Sequence, residues 1–390
     1  MQALAEQGLA KIDFVPGVEV PGLKEPMRRV RIGCLSQSEK NAIIEKWGFG
    51  NLKAARREIS MYESGPNAAD YDVVLMSRRY EPEAHRLIQK LQAVGVTVVY
   101  DMDDDAFGVD RMNPAYAMWG TDGAQVLRWH SWLNRKPAFE PHTPQAARAF
   151  NKKMLDGLAE CCRLADAVTV TTPALADVYR RFNKNIYVLP NQMFGKDWTH
   201  VVPLKHPNEI WFGWAGSPTH LNDLKPLEEA IVQVLQRVPN SYFACLGFPQ
   251  AVLDHMPRVP RDRVRLFDFR PINEYREILA GIDVIWAPSA ATRFNEGKSD
   301  IRVLEAWMTF NPVVASETTY GPTVRKANGG FVARNPKDWV NRTVQLLEDA
   351  DLRYGLALAG LDYTVNQRTY ETQASRWLDV YTELRQRQAA

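Results

Sequence analysis

Short apolar runs alternate with amphipathic stretches along most of the chain. Tyr71–Ser77 (YDVVLMS) and Gly95–Tyr100 (GVTVVY) read as buried strands, and Glu83–Val94 between them sets its apolar residues at helical spacing. The same rhythm predicts a helix over Ala146–Leu164, a strand over Ala167–Thr171, a helix over Pro173–Phe182 and a strand over Ile186–Pro190. Upstream, Arg29–Ser36 predicts a first strand, Gln37–Gly50 a polar loop and helix, and Ala54–Tyr62 a further helix. Met1–Met27, punctuated by Pro16, Pro21 and Pro26, reads as an extended lead-in. Strands that alternate with helices in this way wind a parallel sheet through right-handed crossovers.

Trp198–Asn208 holds Pro203 and Pro207 and reads as a linker. Beyond it the alternation restarts with strand Ile210–Trp214, helix Leu224–Val238, strands Tyr242–Leu246 and Val264–Phe267, helix Ile272–Gly281 and strand Val284–Ala287. Helix Ser299–Thr309, strands Val313–Ala315 and Gly330–Ala333, and helices Pro336–Glu348 and Asp351–Tyr363 continue it, and Thr372–Arg387 is helical. The expected fold class is therefore α/β: two Rossmann-like domains, residues 1–195 and 205–365, with residues 366–390 packing back as a C-terminal bracing helix. Residues 107–145 break the rhythm as an insertion rich in Trp119, Trp129, His130, Trp132 and His142. Such a segment is either packed core or a surface that stacks on sugars or bases.

The 390 residues, 45% of them hydrophobic, suffice for two cores. No apolar run approaches the ~20 residues that cross a bilayer, and Met1–Val20 lacks the pattern of a cleaved leader. A cytoplasmic protein without a membrane span is expected; oligomeric state is not legible. Cys34, Cys161, Cys162 and Cys245 show neither zinc-ligand nor disulfide-framework spacing and are expected as core thiols. The net charge of +2 does not demand a nucleic-acid partner. Locally, though, Arg28, Arg29, Arg31, Lys40, Lys46, Lys53, Arg56 and Arg57 meet only Glu39 and Glu45, which describes either a solvated face or a surface for a polyanion.

Candidate chemistry gathers where strands hand over to helices. In Gly213–His220 (GWAGSPTH), glycines let backbone N–H groups approach a phosphate and the next helix presents its positive end. Lys298 and Ser299 follow the Val284 strand and its loop in the same half-chain, with Glu305 about two turns on, where a carboxylate suits hydroxyls. The plain alternative is that Ser299 and Asp300 cap a helix and Glu305 is solvated. In the first half, the Gly95 strand runs into Asp101, Asp103, Asp104 and Asp105 beside Arg78 and Arg79. That crowding reads equally as a solvated capping turn or as a site in which one carboxylate acts as base towards a hydroxyl.

Four stretches, FGWAGSPTH (Phe212–His220), DVIWAPS (Asp283–Ser289), KSDIRVLEA (Lys298–Ala306) and PVVAS (Pro312–Ser316), resemble the GT-B glycosyltransferases, specifically the retaining nucleotide-sugar enzymes of family 4 type. The DMDDD run at Asp101 and the LPN junction at Leu189–Asn191 are similar to features of the same enzymes. The resemblance implies a donor site in the second domain, an acceptor site in the first and reaction in an interdomain cleft. Glu305 would hold the ribose, while Lys298, Ser299 and the backbone of Gly216 and Ser217 hold the diphosphate, with His220 and Lys225 beside them. Backbone near Arg270 and Pro271 would read the base. Lys298, Glu296 and Asp103 are the expected catalytic groups, and Arg78, Arg79, Asp101 and Asp104 the expected acceptor contacts. A UDP-sugar or other NDP-sugar is the implied donor, with no metal or cofactor required; the acceptor is an anionic glycan or a hydroxymethylated base in phage-type DNA. One departure stands out: the family's first glutamate falls here on Gly297, with Glu296 one place earlier. Alternatives are a GT-A-like enzyme with Asp101 and Asp103 as a metal clamp, a sugar-nucleotide epimerase, and a non-catalytic nucleotide-sugar-binding protein.

Overall fold

The computed structural model describes residues 72–389, apart from positions 112, 114–115, 117–119, 121–125, 128–138, 141–142, 199–200, 202, 205–207 and 248; before residue 72 it describes only Lys11–Asp13 and Arg31–Gly33. The chain divides into two compact units: residues 1–109, 115–190 and 374–390 form the first, and residues 110–114 and 191–373 the second. The expected boundary at 195 lies five residues beyond this division, and the expected linker Trp198–Asn208 falls inside the second unit. Gly195–Trp198 is a 3-10 turn whose Trp198 is 7% exposed in the second unit's core, because a tryptophan with an apolar pocket beside it is not left in a linker.

In the first unit, β1 (Lys11–Asp13), β2 (Arg31–Gly33), β3 (Val73–Ser77), β4 (Thr97–Met102), β7 (Ala167–Val170) and β8 (Ile186–Val188) form a parallel sheet in that order. The lead-in thus contributes a strand. Residues 107–145 hold the antiparallel pair β5 (Val126–Leu127) and β6 (Phe139–Glu140). The expected helix Ala54–Tyr62, the aromatics Trp119, Trp129, His130, Trp132 and His142, Cys34 and the basic side chains between Arg28 and Arg57 lie outside what is described. Helices α1 (Pro82–Ala93), α2 (Pro144–Leu164) and α3 (Pro173–Tyr179) each carry a proline in the first turn, where its missing N–H costs no helical bond. They cover one face of the sheet through Ile88, Leu158 and Leu175.

In the second unit, β9 (Ile210–Ala215), β10 (Ser241–Gly247), β11 (Val264–Asp268), β12 (Val284–Ala287), β13 (Val313–Ser316) and β14 (Gly330–Ala333) are all parallel, in the order β11-β10-β9-β12-β13-β14. That is the 3-2-1-4-5-6 order of dinucleotide-binding folds. Its helices are α4 (Glu228–Arg237), α5 (Pro249–His255), α6 (Ile272–Ala280), α7 (Ile301–Met308), α8 (Glu317–Ala327), α9 (Pro336–Glu348) and α10 (Ala350–Gln367). Trp214, Phe243 and Trp286 fill the core on one face of the sheet, and Ile285, Leu304 and Trp307 the core on the other. The expected helix Leu224–Val238 is broken into Leu221–Leu224, a 3-10 turn Lys225–Leu227 and α4, because Pro226 removes a donor in its middle.

The second unit is closed at its ends. Met193 N–H donates to the Arg368 carbonyl at 2.8 Å, Tyr370 N–H to Met193 at 2.9 Å, and the Arg368 guanidinium to the Asn191 carbonyl at 2.9 Å. The last helix, α11 (Tyr370–Ala389), then packs Tyr381 and Leu384 on Val73, Val99 and Ala167 of the first unit, where Arg385 pairs with Asp72 at 2.9 Å. Among the described residues no helix is long and apolar enough to cross a membrane.

Candidate functional site

Strand order determines where a ligand can sit. In the second sheet the chain builds outward from β9 through β10 to β11, and then from β12 through β13 to β14 on the other side. The switch point lies between the carboxyl ends of β9 and β12, where neighbouring connections diverge and leave a crevice. The Gly216–His220 turn leaves β9, and the segment from Pro288 to Lys298 leaves β12.

The β9 turn is built on close backbone packing. Gly216 N–H donates to the Leu246 carbonyl at 3.0 Å. Behind it Gly247 lies at φ +120°, and a Cβ there would stand 2.3 Å from the Gly216 oxygen. The expected donation from Gly216 N–H to a phosphate is therefore corrected, since that N–H is already engaged. The turn's polar face is Ser217, whose hydroxyl shares a 2.6 Å bond with Thr219 and whose carbonyl accepts His220 N–H at 3.0 Å. His220 Nδ1 meets one Asp223 oxygen at 3.0 Å, and the other accepts Ala290 N–H and the Asn295 amide at 2.8 Å each. Asp223 thus staples the β9 turn to the β12 loop.

Helix α7 supplies the charges. Arg302 and Glu305 lie one turn apart on one face, and Lys298 precedes the first turn. Arg302 donates to the carbonyl of Ala215, the last residue of β9. Lys298 Nζ sits 4.4 Å from the Phe294 ring centroid, a cation–π contact that keeps it by the loop. Burial holds the His220 imidazole below its usual range, and both Arg302 and Lys298 push it further down, against the pull of Asp223. Arg302, Lys298 and the β9 turn therefore share one electrostatic neighbourhood. Burial raises the Glu305 carboxyl above its ordinary range, opposed by Arg302 and by Tyr275, whose hydroxyl donates to Oε2 at 3.0 Å. Ser299 Oγ accepts Ile301 N–H at 3.3 Å as a local cap.

Three other expected site residues are exposed. Lys225 is exposed on the 3-10 turn, Arg270 is exposed and pairs with Glu274 at 3.6 Å, and Glu296 is exposed on the single turn Arg293–Glu296. Asp300 is structural: it takes two 2.7 Å bonds from Arg368 and one of 2.6 Å from Thr323.

In the first unit the acidic run divides its duties. Arg78, at φ +55°, donates to both Asp103 oxygens at 2.9 and 3.1 Å and lies 3.9 Å from Asp104. Asp101 accepts the Thr169 hydroxyl at 2.5 Å, and burial raises its carboxyl above the ordinary range. Asp105 caps the turn at Phe107 and Gly108, and Arg79 pairs with Glu81 at 3.0 Å. The carboxyl ends of β3, β4 and β7 thus bring Arg78, Asp101 and Asp103 together, while Arg79 turns to its own neighbour. Among the described residues no group of three His, Cys, Asp or Glu side chains is arranged to hold a metal ion. Cys161, Cys162 and Cys245 are buried, with thiols pushed up to about 12.

Sequence reasoning passed over Arg302, Asp223, Asn295 and Tyr275. Arg302 had a signal, a cation three residues before Glu305; Asp223 and Asn295 had none, because their work is to join two distant loops.

Residues 210–349 match the family model of glycosyl transferases group 1. No curated protein matches the chain. Among solved structures it is similar to a variant of S. aureus TarM bound to fondaparinux, alpha-GlcNAc-glycerol and UDP, at 14% identity and TM-score 0.53 over 79% of this chain and 55% of that one. It thus spans about half the length of that protein. WaaG, a glycosyltransferase involved in lipopolysaccharide biosynthesis, matches at 13% identity and TM-score 0.53 over 90% of this chain and 86% of that one. Anabaena HepE in complex with UDP-glucose matches at 13% identity and TM-score 0.53 over 87% and 88%. These likenesses show the GT-B architecture of two Rossmann-like domains.

Proposed function

From a chain whose residues 210–349 form a glycosyl transferases group 1 domain on a GT-B scaffold, we propose a glycosyltransferase that uses a nucleoside-diphosphate sugar, foremost a UDP-sugar, and transfers with retention. The observation that carries the reading is that Arg302 of α7 donates to the Ala215 carbonyl at the end of β9, with Lys298 just before the same helix, both cations acting on His220 of the turn after β9, and Glu305 one turn further along α7. Two cations beside a strand-end turn suit a diphosphate, and a partly buried carboxylate one turn further suits ribose hydroxyls. The leaving group departs as an anion, so stabilising its growing charge is the main catalytic task, and Lys298 and Arg302 supply it without reorganising. With those charges provided by side chains, turnover is expected to survive EDTA.

The acceptor is assigned to the carboxyl ends of β3, β4 and β7. Asp103, held by Arg78, orients the incoming hydroxyl, with Asp101 and Asp104 beside it. An anionic hydroxyl-bearing acceptor, a glycan or a hydroxymethylated base in DNA, fits the basic residues between Arg28 and Arg57. Mass spectrometry after incubation with nucleotide sugars and with glycans, plain DNA and hydroxymethylated DNA identifies it.

Titration with a UDP-sugar tests the donor site directly. Lys298→Ala, Arg302→Ala and Glu305→Ala each remove a charged partner of the ligand, and each should weaken binding by about ten- to a hundredfold, since such bonds contribute roughly 1.5–3 kcal/mol. Wild-type affinity in all three would sink the assignment.

A further inference from the structure

His220 follows the Ser217 turn and reaches Asp223 through Nδ1 at 3.0 Å, while Asp223 is pinned by Ala290 N–H and the Asn295 amide at 2.8 Å each. A carboxylate so placed draws the imidazole proton to Nδ1, which leaves Nε2 as the acceptor. Among the described residues no hydrogen bond engages Nε2. The charged groups facing the ring are Asp223 from its own turn and, from the elements packed against it, Arg302 of α7 and Lys298 just before that helix. Burial and these two cations favour the neutral ring, against Asp223.

We propose that His220 takes up a proton at Nε2 when a nucleoside diphosphate enters this site, and becomes a hydrogen-bond donor to it. This rests on the donor-site reading above. The phosphate oxygens offset the fields of Arg302 and Lys298 and, lying against the ring, add to the pull of Asp223 on its proton, so that together they outweigh the burial that favours the neutral form. The proton comes from solvent and forms the Nε2–H bond; no ligand bond breaks in this step, and the proton returns to solvent when the nucleotide leaves. During transfer the bond from the sugar to the diphosphate oxygen breaks and that oxygen keeps the electron pair. A cationic His220 therefore favours the late, more negative diphosphate over the intact donor.

Calorimetric titration of the full chain with UDP, in buffers of different ionisation enthalpy at pH 7, counts the protons. The terminal phosphate of UDP titrates equally against any variant, so the comparison is with His220→Gln. The wild type should take up a larger fraction of a proton than the variant, and between pH 6 and 8 its Kd should rise by up to about tenfold per pH unit relative to the variant. His220→Asn, whose amide keeps a donor towards Asp223, repeats the comparison if the glutamine variant does not fold. Equal proton counts and equal pH dependence, with UDP still binding, overturn the inference and leave the donor site standing. Failure of UDP to bind the wild type at any pH overturns the donor-site reading and this inference with it.

Discussion

Burial pushes the Glu305 carboxyl above its ordinary range even though Arg302 and Tyr275 both favour its ionised form. A carboxyl raised in the folded state holds its proton more tightly there than in the unfolded chain, so at neutral pH its charge subtracts from stability. Glu305→Gln should therefore raise Tm at pH 7–8. The gap from wild type should narrow as pH falls through the raised value and close below about 4.3, where the unfolded carboxyl is protonated as well. The same variant should bind a UDP-sugar more weakly, because an amide accepts fewer hydroxyls than a carboxylate. A melt series over pH together with one titration checks both; a Tm below wild type at pH 8 would refute the account of the burial.

At the scale of elements, the start of α7 is held by the Arg368–Asp300 pair, whose side chains are only 11% and 15% exposed. Removing one member of such a pair strands the other's charge. Arg368→Met should cost about 3–5 kcal/mol in urea unfolding, and adding Asp300→Leu should recover most of it. No recovery in the double variant would mean that Arg368 acts mainly through Asn191. The strands β9, β10 and β12 were legible because buried parallel strands are written as continuous apolar runs. Helix α8 was not, because Pro322 and the non-helical Thr318 and Thr319 break its periodicity. Of the candidate site, the sequence showed the Gly216 turn because it stands where a strand ends, and Lys298 and Glu305 because they flank and enter the helix after the next strand. The engagement of Gly216 N–H by Leu246 could not, because the register of β9 with β10 decides it. Arg302 and Asp223 act on partners 87 and 67 residues away, a pairing that local pattern does not encode. Gly247 extends the point: at φ +120°, with the Gly216 oxygen 2.3 Å from its virtual Cβ, Gly247→Ala should cost roughly 1–3 kcal/mol and loosen the donor turn, read as a lower Tm and a higher Kd for UDP.

At the scale of the molecule, each of the two parallel sheets carries its own core, and the second is the one to which the donor site is assigned above. The hydrogen bonds joining Asn191 and Met193 to Arg368 and Tyr370 bring the first and last turns of that half to one place. A polypeptide that departs where it arrived can be excised with little disturbance to what lies between the cuts. Residues 191–373 made alone should melt cooperatively and bind UDP within about threefold of the intact protein, since 3-fold is under 1 kcal/mol. On the proposed function, nucleotide capture is then a cassette, so that evolution, or an engineer, can exchange what receives the sugar without rebuilding what delivers it.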